Sequence, residues 1–242
     1  MGDTDDYAVS AEFYDLLQAE SDRRLAERRF ADAADRARRS ILDVGAGTGI
    51  VTEVLLRASR VPVHAVEPAP AMRAALLSRL AHLGADRRAR VTVHPEPLEA
   101  AGLSGIADLA VASNVIACLD PATRRATWKA IAAALVPGGL LLFDPPPGRL
   151  PDEPEPAVRL GPVRVGPDLY SAEVTRRPDR GVLRTVFVYR VQREDEVLRE
   201  ERETFQVWPA PAELIAEELD AAGLHLVTAP NADLMAARRP AA

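Results

Sequence analysis

Apolar positions follow two rhythms along this chain, and the switches between them outline the fold. From about Ser10 to Arg39, apolar and small residues recur at helical spacing (Phe13, Leu16, Leu17, then Leu25, Ala26, Phe30, Ala33, Ala34), with charges between them. That spacing predicts two or three N-terminal helices. Short β-rich runs follow at residues 41–44, 61–66, 90–94, 108–112 and 140–143. Between them the pattern predicts helices over 48–59, 70–83 and 121–135, the last opening on Asp120 as N-cap and stopping at Pro137-Gly138-Gly139. Such alternation buries a parallel sheet between helices. The expected fold class is therefore α/β, a doubly wound, Rossmann-like, mostly parallel sheet, seven-stranded once the C-terminal strands are added.

The texture changes at residues 144–156, a proline-rich run that can neither continue a helix nor pair in a central strand, and so reads as a linker or lid. From 158 to 208 the pattern is β only, with long strands at 182–192 and 197–207 and a turn at 178–181, which predicts an antiparallel insertion. A helix over 212–222, bracketed by Pro211 and Gly223, then leads to strands at 224–228 and near 233–237. The layout is an N-terminal helical lid (1–38), a cofactor-binding core (39–146 and 209–242) and a proline-rich linker with a β cap (147–208). No internal repeat is visible.

Composition narrows the function classes. The 242 residues are 48% hydrophobic, enough for a sizeable core. Lys+Arg 30 against Asp+Glu 36 gives a net charge of −6, and the signs are interleaved, which argues against a nucleic-acid partner. There is no 18-residue apolar stretch, and Met1-Gly2-Asp3-Thr4-Asp5-Asp6 lacks the basic-then-apolar order of a secretory signal. The expectation is a cytoplasmic protein with no membrane partner. Cys118 is the sole cysteine and the four histidines show no H-x-x-x-H spacing, so neither a disulfide nor a metal site is expected.

Candidate chemistry gathers in Ile41-Leu42-Asp43-Val44-Gly45-Ala46-Gly47-Thr48-Gly49-Ile50, a glycine-rich turn between a strand and its helix. Gly45 and Gly47 remove side chains where the backbone bends tightly and approaches a ligand, and the following helix offers free N–H groups. A dinucleotide loop reading G-x-G-x-x-G/A requires Gly or Ala at position 50, which is Ile50. The second strand ends on Glu67, 20 residues beyond Gly47, where a carboxylate can accept both hydroxyls of a ribose.

The pattern Asp43, Gly45, Gly47, Gly49 resembles motif I of the class I S-adenosylmethionine-dependent methyltransferases. Glu67, the fourth-strand exit Ala112-Ser113-Asn114 and the Pro137-Gly138-Gly139 turn follow in that family's order, so the resemblance covers residues 39–146 well and the 212–228 helix–strand pair moderately. It implies S-adenosyl-L-methionine as cofactor, S-adenosyl-L-homocysteine as product, and methyl transfer to N or O of a small-molecule acceptor. It places Asp43, Gly45, Ala46, Gly47 and Gly49 at the cofactor's methionine end, Glu67 at its ribose, Pro68 and Met72 along its adenine, and Glu96-Pro97-Leu98 near the adenine amino group. Ser113 and Asn114 would face the methyl group. The β insertion is similar to that of glycine and amino-sugar N-methyltransferases, where it walls the acceptor pocket or mediates dimerisation; Tyr170, Phe187, Tyr189 and Trp208 would serve that wall, and a homodimer is open.

Catalytic candidates are Tyr14, Asn114 and Asp144. Tyr14 either brings its hydroxyl to the reacting centre or packs its helix on the core, and Tyr7 is a weaker case of the same kind. Asn114 either positions the acceptor or caps a turn; Asp144, at a strand tip, either meets substrate or caps the proline-rich run. Asp43 either orients the glycine loop and the cofactor ammonium or is a buried carboxylate satisfied by backbone amides. His64 and His225, flanked by apolar residues, read as satisfied core histidines. Asp144-Pro145-Pro146-Pro147 resembles the D-P-P-Y motif of base-flipping DNA methyltransferases but lacks its aromatic residue and follows the wrong strand. Two rivals stay open: a nicotinamide-dependent oxidoreductase, and a protein that binds S-adenosylmethionine without methylating, of cyclase, decarboxylase or regulatory type.

Overall fold

The computed structural model describes residues 7–241, so the reading of Met1–Asp6 lies outside the described residues. The N-terminal helical rhythm is one unbroken helix, α1 (Ser10–Arg36), not two or three. No glycine or proline interrupts it, and Ser21 turns its hydroxyl back onto the carbonyl of Gln18.

Then come β1 (Ile41–Val44), α2 (Ile50–Ala58), β2 (Val63–Val66), α3 (Pro70–Ala81), a single-turn α4 (Ala85–Arg88), β3 (Val91–His94) and β4 (Ala107–Ala112). A 3-10 turn (Ile116–Cys118) precedes α5 (Pro121–Ala134) and β5 (Leu135–Phe143). Asp120 caps α5 as expected, accepting from the amides of Ala122 and Thr123. Pro137-Gly138-Gly139 is not a free turn, however, but part of β5. The register slips there, Ala107 pairing with Leu135 and Leu109 with Leu140, and the Gly138 amide finds its partner in the carbonyl of Arg239.

Four strands make up the insertion: β6 (Val158–Val165), β7 (Asp168–Asp179), β8 (Val182–Arg193) and β9 (Glu196–Val207), a continuous antiparallel sheet. The β7–β8 turn uses Arg180 and Gly181 at φ 48° and 90°, as a two-residue hairpin with matching twist requires. The chain closes with α6 (Ala212–Ala221), β10 (His225–Val227) and β11 (Met235–Arg238).

The large sheet runs β10-β11-β5-β4-β1-β2-β3, with β11 antiparallel to both its neighbours and the rest parallel. Successive side chains point to opposite faces. Ile41 and Val63 join Ala26, Phe30, Leu55 and Leu76 beneath α1, α2 and α3, while Leu42 and Val66 join Trp128, Ile131, Ile215 and Leu219 beneath α5 and α6. The order of connection reverses between β1 and β4, and that switch point opens a crevice beyond the strands' carboxyl ends.

The second sheet packs on the start of α1. Phe13 stacks on Tyr189 at 4.6 Å between ring centroids and lies beside Tyr170, and the hydroxyls of Ser10 and Tyr189 meet at 2.8 Å. Glu203 on β9 accepts the amides of Ser10 (2.8 Å) and Val9 (3.4 Å), so α1 is capped from a strand nearly two hundred residues away. Among the described residues, no helix is long and apolar enough to cross a membrane.

Candidate functional site

All four residues of β1 are buried, as expected of a central parallel strand, and Asp43 is among them at 1% exposure. Its carboxylate accepts the Thr52 hydroxyl from α2 at 2.6 Å. Burial, opposed by that hydrogen bond and reinforced by Glu67, pushes the Asp43 carboxyl up to about 7.

Past Val44 the chain bends through Gly45, Gly47 and Gly49, all at positive φ (68°, 57° and 85°). The three glycines answer different demands. A Cβ on Gly45 would sit 2.3 Å from Val115, and one on Gly49 2.4 Å from Leu76, so both are set by packing. Around Gly47 there is nothing within 4 Å: this bend faces open space. Since Gly49 holds the left-handed region, α2 starts at Ile50 and not at Thr48.

The loop is tied to the tip of β2. The Ala46 amide donates to the carbonyl of Val66, and the Gly47 amide to Glu67 Oε2 at 2.7 Å; the Ala69 amide takes Glu67 Oε1 at 2.8 Å. Glu67 is 6% exposed, and burial raises its carboxyl against the pull of those two amides and of Arg73. Met72 is buried on α3, while Pro68 is exposed. Past β3, Glu96 and Pro97 are exposed and Leu98 is buried in the same apolar cluster as Val44 and Val66.

At the exits of β4 and β5, Ser113 is half-buried and Asn114 takes φ 58°. The Asn114 amide donates to Asp144 Oδ2 at 2.5 Å, and Arg29 of α1 holds Asp144 Oδ1 in an ion pair while its Nε reaches Asp233 at 2.7 Å. Tyr14 does not join that pair; its hydroxyl donates to Asp22 at 2.8 Å, and burial, then Asp22, hold the phenol well above its usual range. Tyr7 stacks on Phe205 of β9.

Thus α1 spans the crevice. Asp15 accepts the Thr48 hydroxyl at 2.5 Å and pairs with Arg79 at 2.6 Å, and Arg79 also donates to the Thr48 carbonyl at 2.8 Å. Sequence reasoning missed Asp15, Asp22, Arg29, Thr52, Arg79 and Glu203. The signal available was Asp15, Asp22 and Arg29 at seven-residue intervals, polar positions on a face whose neighbours Ala26, Phe30 and Ala33 are core.

The histidine reading needs correction. His64 is half-buried and shares a 3.1 Å contact with His94 on the neighbouring strand, and His225 is exposed, bonded to Asp220. Each sits on a sheet position that no helix covers fully, so apolar neighbours in sequence did not mean a core.

Comparison with known proteins points one way. Residues 42–141 match the family model described as a methyltransferase domain. The sugar N-methyltransferase KedS8 from Streptoalloteichus sp ATCC 53650 is similar at 25% identity and TM-score 0.68, over 93% of this chain and 87% of that one. CalS10, an S-adenosylmethionine-bound amino pentose methyltransferase from Micromonospora echinaspora, shares the fold at 23% identity and TM-score 0.70, over 96% of each chain. The CcbJ methyltransferase from Streptomyces caelestis does so at 19% identity and TM-score 0.68, over 91% and 95%. A search by sequence among curated proteins finds no match.

Proposed function

We propose that the methyltransferase domain of this chain binds S-adenosyl-L-methionine in the crevice above β1, β2 and β4 and moves its methyl group to nitrogen or oxygen of a small molecule, leaving S-adenosyl-L-homocysteine. The observation that carries the reading is the pairing of an open cradle at Gly47 with a buried Glu67 whose oxygens are aimed by two amides. A carboxylate oxygen has room for a second donor beyond each amide, so Glu67 can still accept a ribose diol.

In this reading Asp43, Gly45, Ala46, Gly47, Gly49, Ser113 and Asn114 hold the methionine end, and Glu67, Pro68, Met72, Glu96, Pro97 and Leu98 the adenosine end. When bound, the cofactor supplies an electrophilic methyl carbon on a sulfonium. The chain's own task is to align the acceptor lone pair, exclude water and keep groups in place. Asp144 and Asn114, locked together and to Arg29, form a fixed edge for the acceptor, while on α1 the Tyr14 hydroxyl is held by Asp22. The descriptions of KedS8 as a sugar N-methyltransferase and of CalS10 as an amino pentose methyltransferase support a sugar-sized acceptor. A cytoplasmic setting and a homodimer belong to the same proposal.

Calorimetric titration tests it: S-adenosylhomocysteine binds in the micromolar range and NAD does not. Preference for NAD, or mass spectra showing no methylated product across an amine and alcohol acceptor panel, would refute it.

A further inference from the structure

Asp15, Asp22 and Arg29 lie two helical turns apart, about 10 Å per step along one stripe of α1. The first is bound at Thr48 above β1 and the last at Asp144 above β5. In the sheet, β4 lies between those two strands. The helix therefore carries Asp22 across the exit of β4, at the middle of the crevice.

We propose that Asp22 is the carboxylate that receives the acceptor's ammonium group, which makes the acceptor an amine and not an alcohol. This rests on the function proposed above and specifies its substrate class. Among the described residues, no basic group forms an ion pair with Asp22 within 4.0 Å; its carboxylate accepts the Tyr14 hydroxyl at 2.8 Å. The neighbouring guanidinium, Arg29, is already shared by Asp144 and Asp233. Burial, and also Asp144, push the Asp22 carboxyl up against the opposing pull of Tyr14, Ser21 and Arg29. A half-desolvated anion in that position is stabilised by an incoming cation.

The hydrogen-bond inventory agrees. Tyr14 spends its one proton on Asp22, so the pair presents only acceptor oxygens. An ammonium has only donors. Once it is seated, an N–H bond breaks and the proton passes to the Asp22 carboxylate, which frees the nitrogen lone pair; the carboxyl returns that proton to water after the product leaves.

The test uses the full chain saturated with S-adenosylhomocysteine and two probes of one shape, glucosamine and glucose. Wild type should bind glucosamine roughly tenfold more tightly, a ratio that falls to about two in Asp22→Asn and recovers in Asp22→Glu. Glucosamine alone should also perturb the tyrosine ultraviolet spectrum through Tyr14, a readout needing no variant. Equal affinity for the two sugars in wild type, absence of binding by both included, overturns the proposal, as does an unchanged ratio in Asp22→Asn. Failure to bind S-adenosylhomocysteine in the first place would instead refute the function itself.

Discussion

The amide of Gly47 donates to the Glu67 carboxylate at 2.7 Å, which joins the bend after β1 and the acidic tip of β2 into one hydrogen-bonded unit. Removing the acid has two consequences: a ligand contact is lost and two amides lose their partner. Glu67→Ala should therefore weaken S-adenosylhomocysteine binding by about 1–3 kcal/mol. Glu67→Gln should cost less, since its carbonyl oxygen can still accept one amide. Calorimetry on both variants decides; equal affinity in Glu67→Ala and wild type removes Glu67 from the site.

The glycines separate stability from binding. Gly45→Ala drives a methyl into Val115 and should lower unfolding free energy by about 2 kcal/mol or more, read by urea denaturation. Gly47→Ala meets no atom and bears only the left-handed backbone penalty of about 1 kcal/mol, while Gly47→Arg should fold yet lose S-adenosylhomocysteine binding because it fills the cradle. Retained binding in Gly47→Arg would contradict the placement of the ligand.

Asp43 gives a pH dependence with a definite sign. Its folded pKa, about 7, lies above the unfolded value near 4, so the native state binds more protons between those limits. Stability should fall as pH rises from about 4 to about 7, by roughly 1.4 kcal/mol per unit at most. In Asp43→Asn that contribution should be lost, leaving the shallower slope of the other raised carboxyls, Glu67 and Asp22. Chemical denaturation across pH 4–8 compares the two proteins, and parallel curves would rule out the buried carboxyl as the cause.

How much of this was legible in the sequence depends on where each interaction partner lies along the chain. The parallel sheet was readable because strand and helix periods are local, and the glycine loop because its residues are contiguous. What escaped were long-range tethers. Nothing near Ser10 announces that Glu203 caps it, and nothing near Asp144 announces Arg29. Gly138 misled because Pro-Gly-Gly normally stops a helix and turns into the next strand; Arg239, a hundred residues on, takes its amide and lets β5 begin already at Leu135.

A buried ion pair fastens α5 to α6. Arg124 Nε and Nη2 hold Glu218 at 2.8 and 2.9 Å, and the Trp128 indole donates to the same carboxylate at 3.1 Å. Glu218→Leu alone should destabilise by about 3–5 kcal/mol by stranding the guanidinium, and Arg124→Met in that background should recover most of it. Urea denaturation of the single and double variants reads the coupling; additive effects would argue against it.

The remote cap on α1 makes a kinetic prediction. Glu203→Ala leaves the Ser10 amide unpartnered and should cost about 1–2 kcal/mol, with faster hydrogen exchange confined to the first turns of α1. Exchange unchanged at residues 9–13 would show the cap to be idle.

Because the first turn of α1 is anchored in β9 and its later turns in the exits of β1 and β5, the helix is the bridge between the four-stranded sheet and the core. A chimera that grafts a foreign insertion between residues 147 and 208 while keeping the native helix would strand Phe13 in water; swapping both together preserves the seam. The start of α1 and the inserted sheet are thus expected to vary together, because each supplies half of the packing around Phe13.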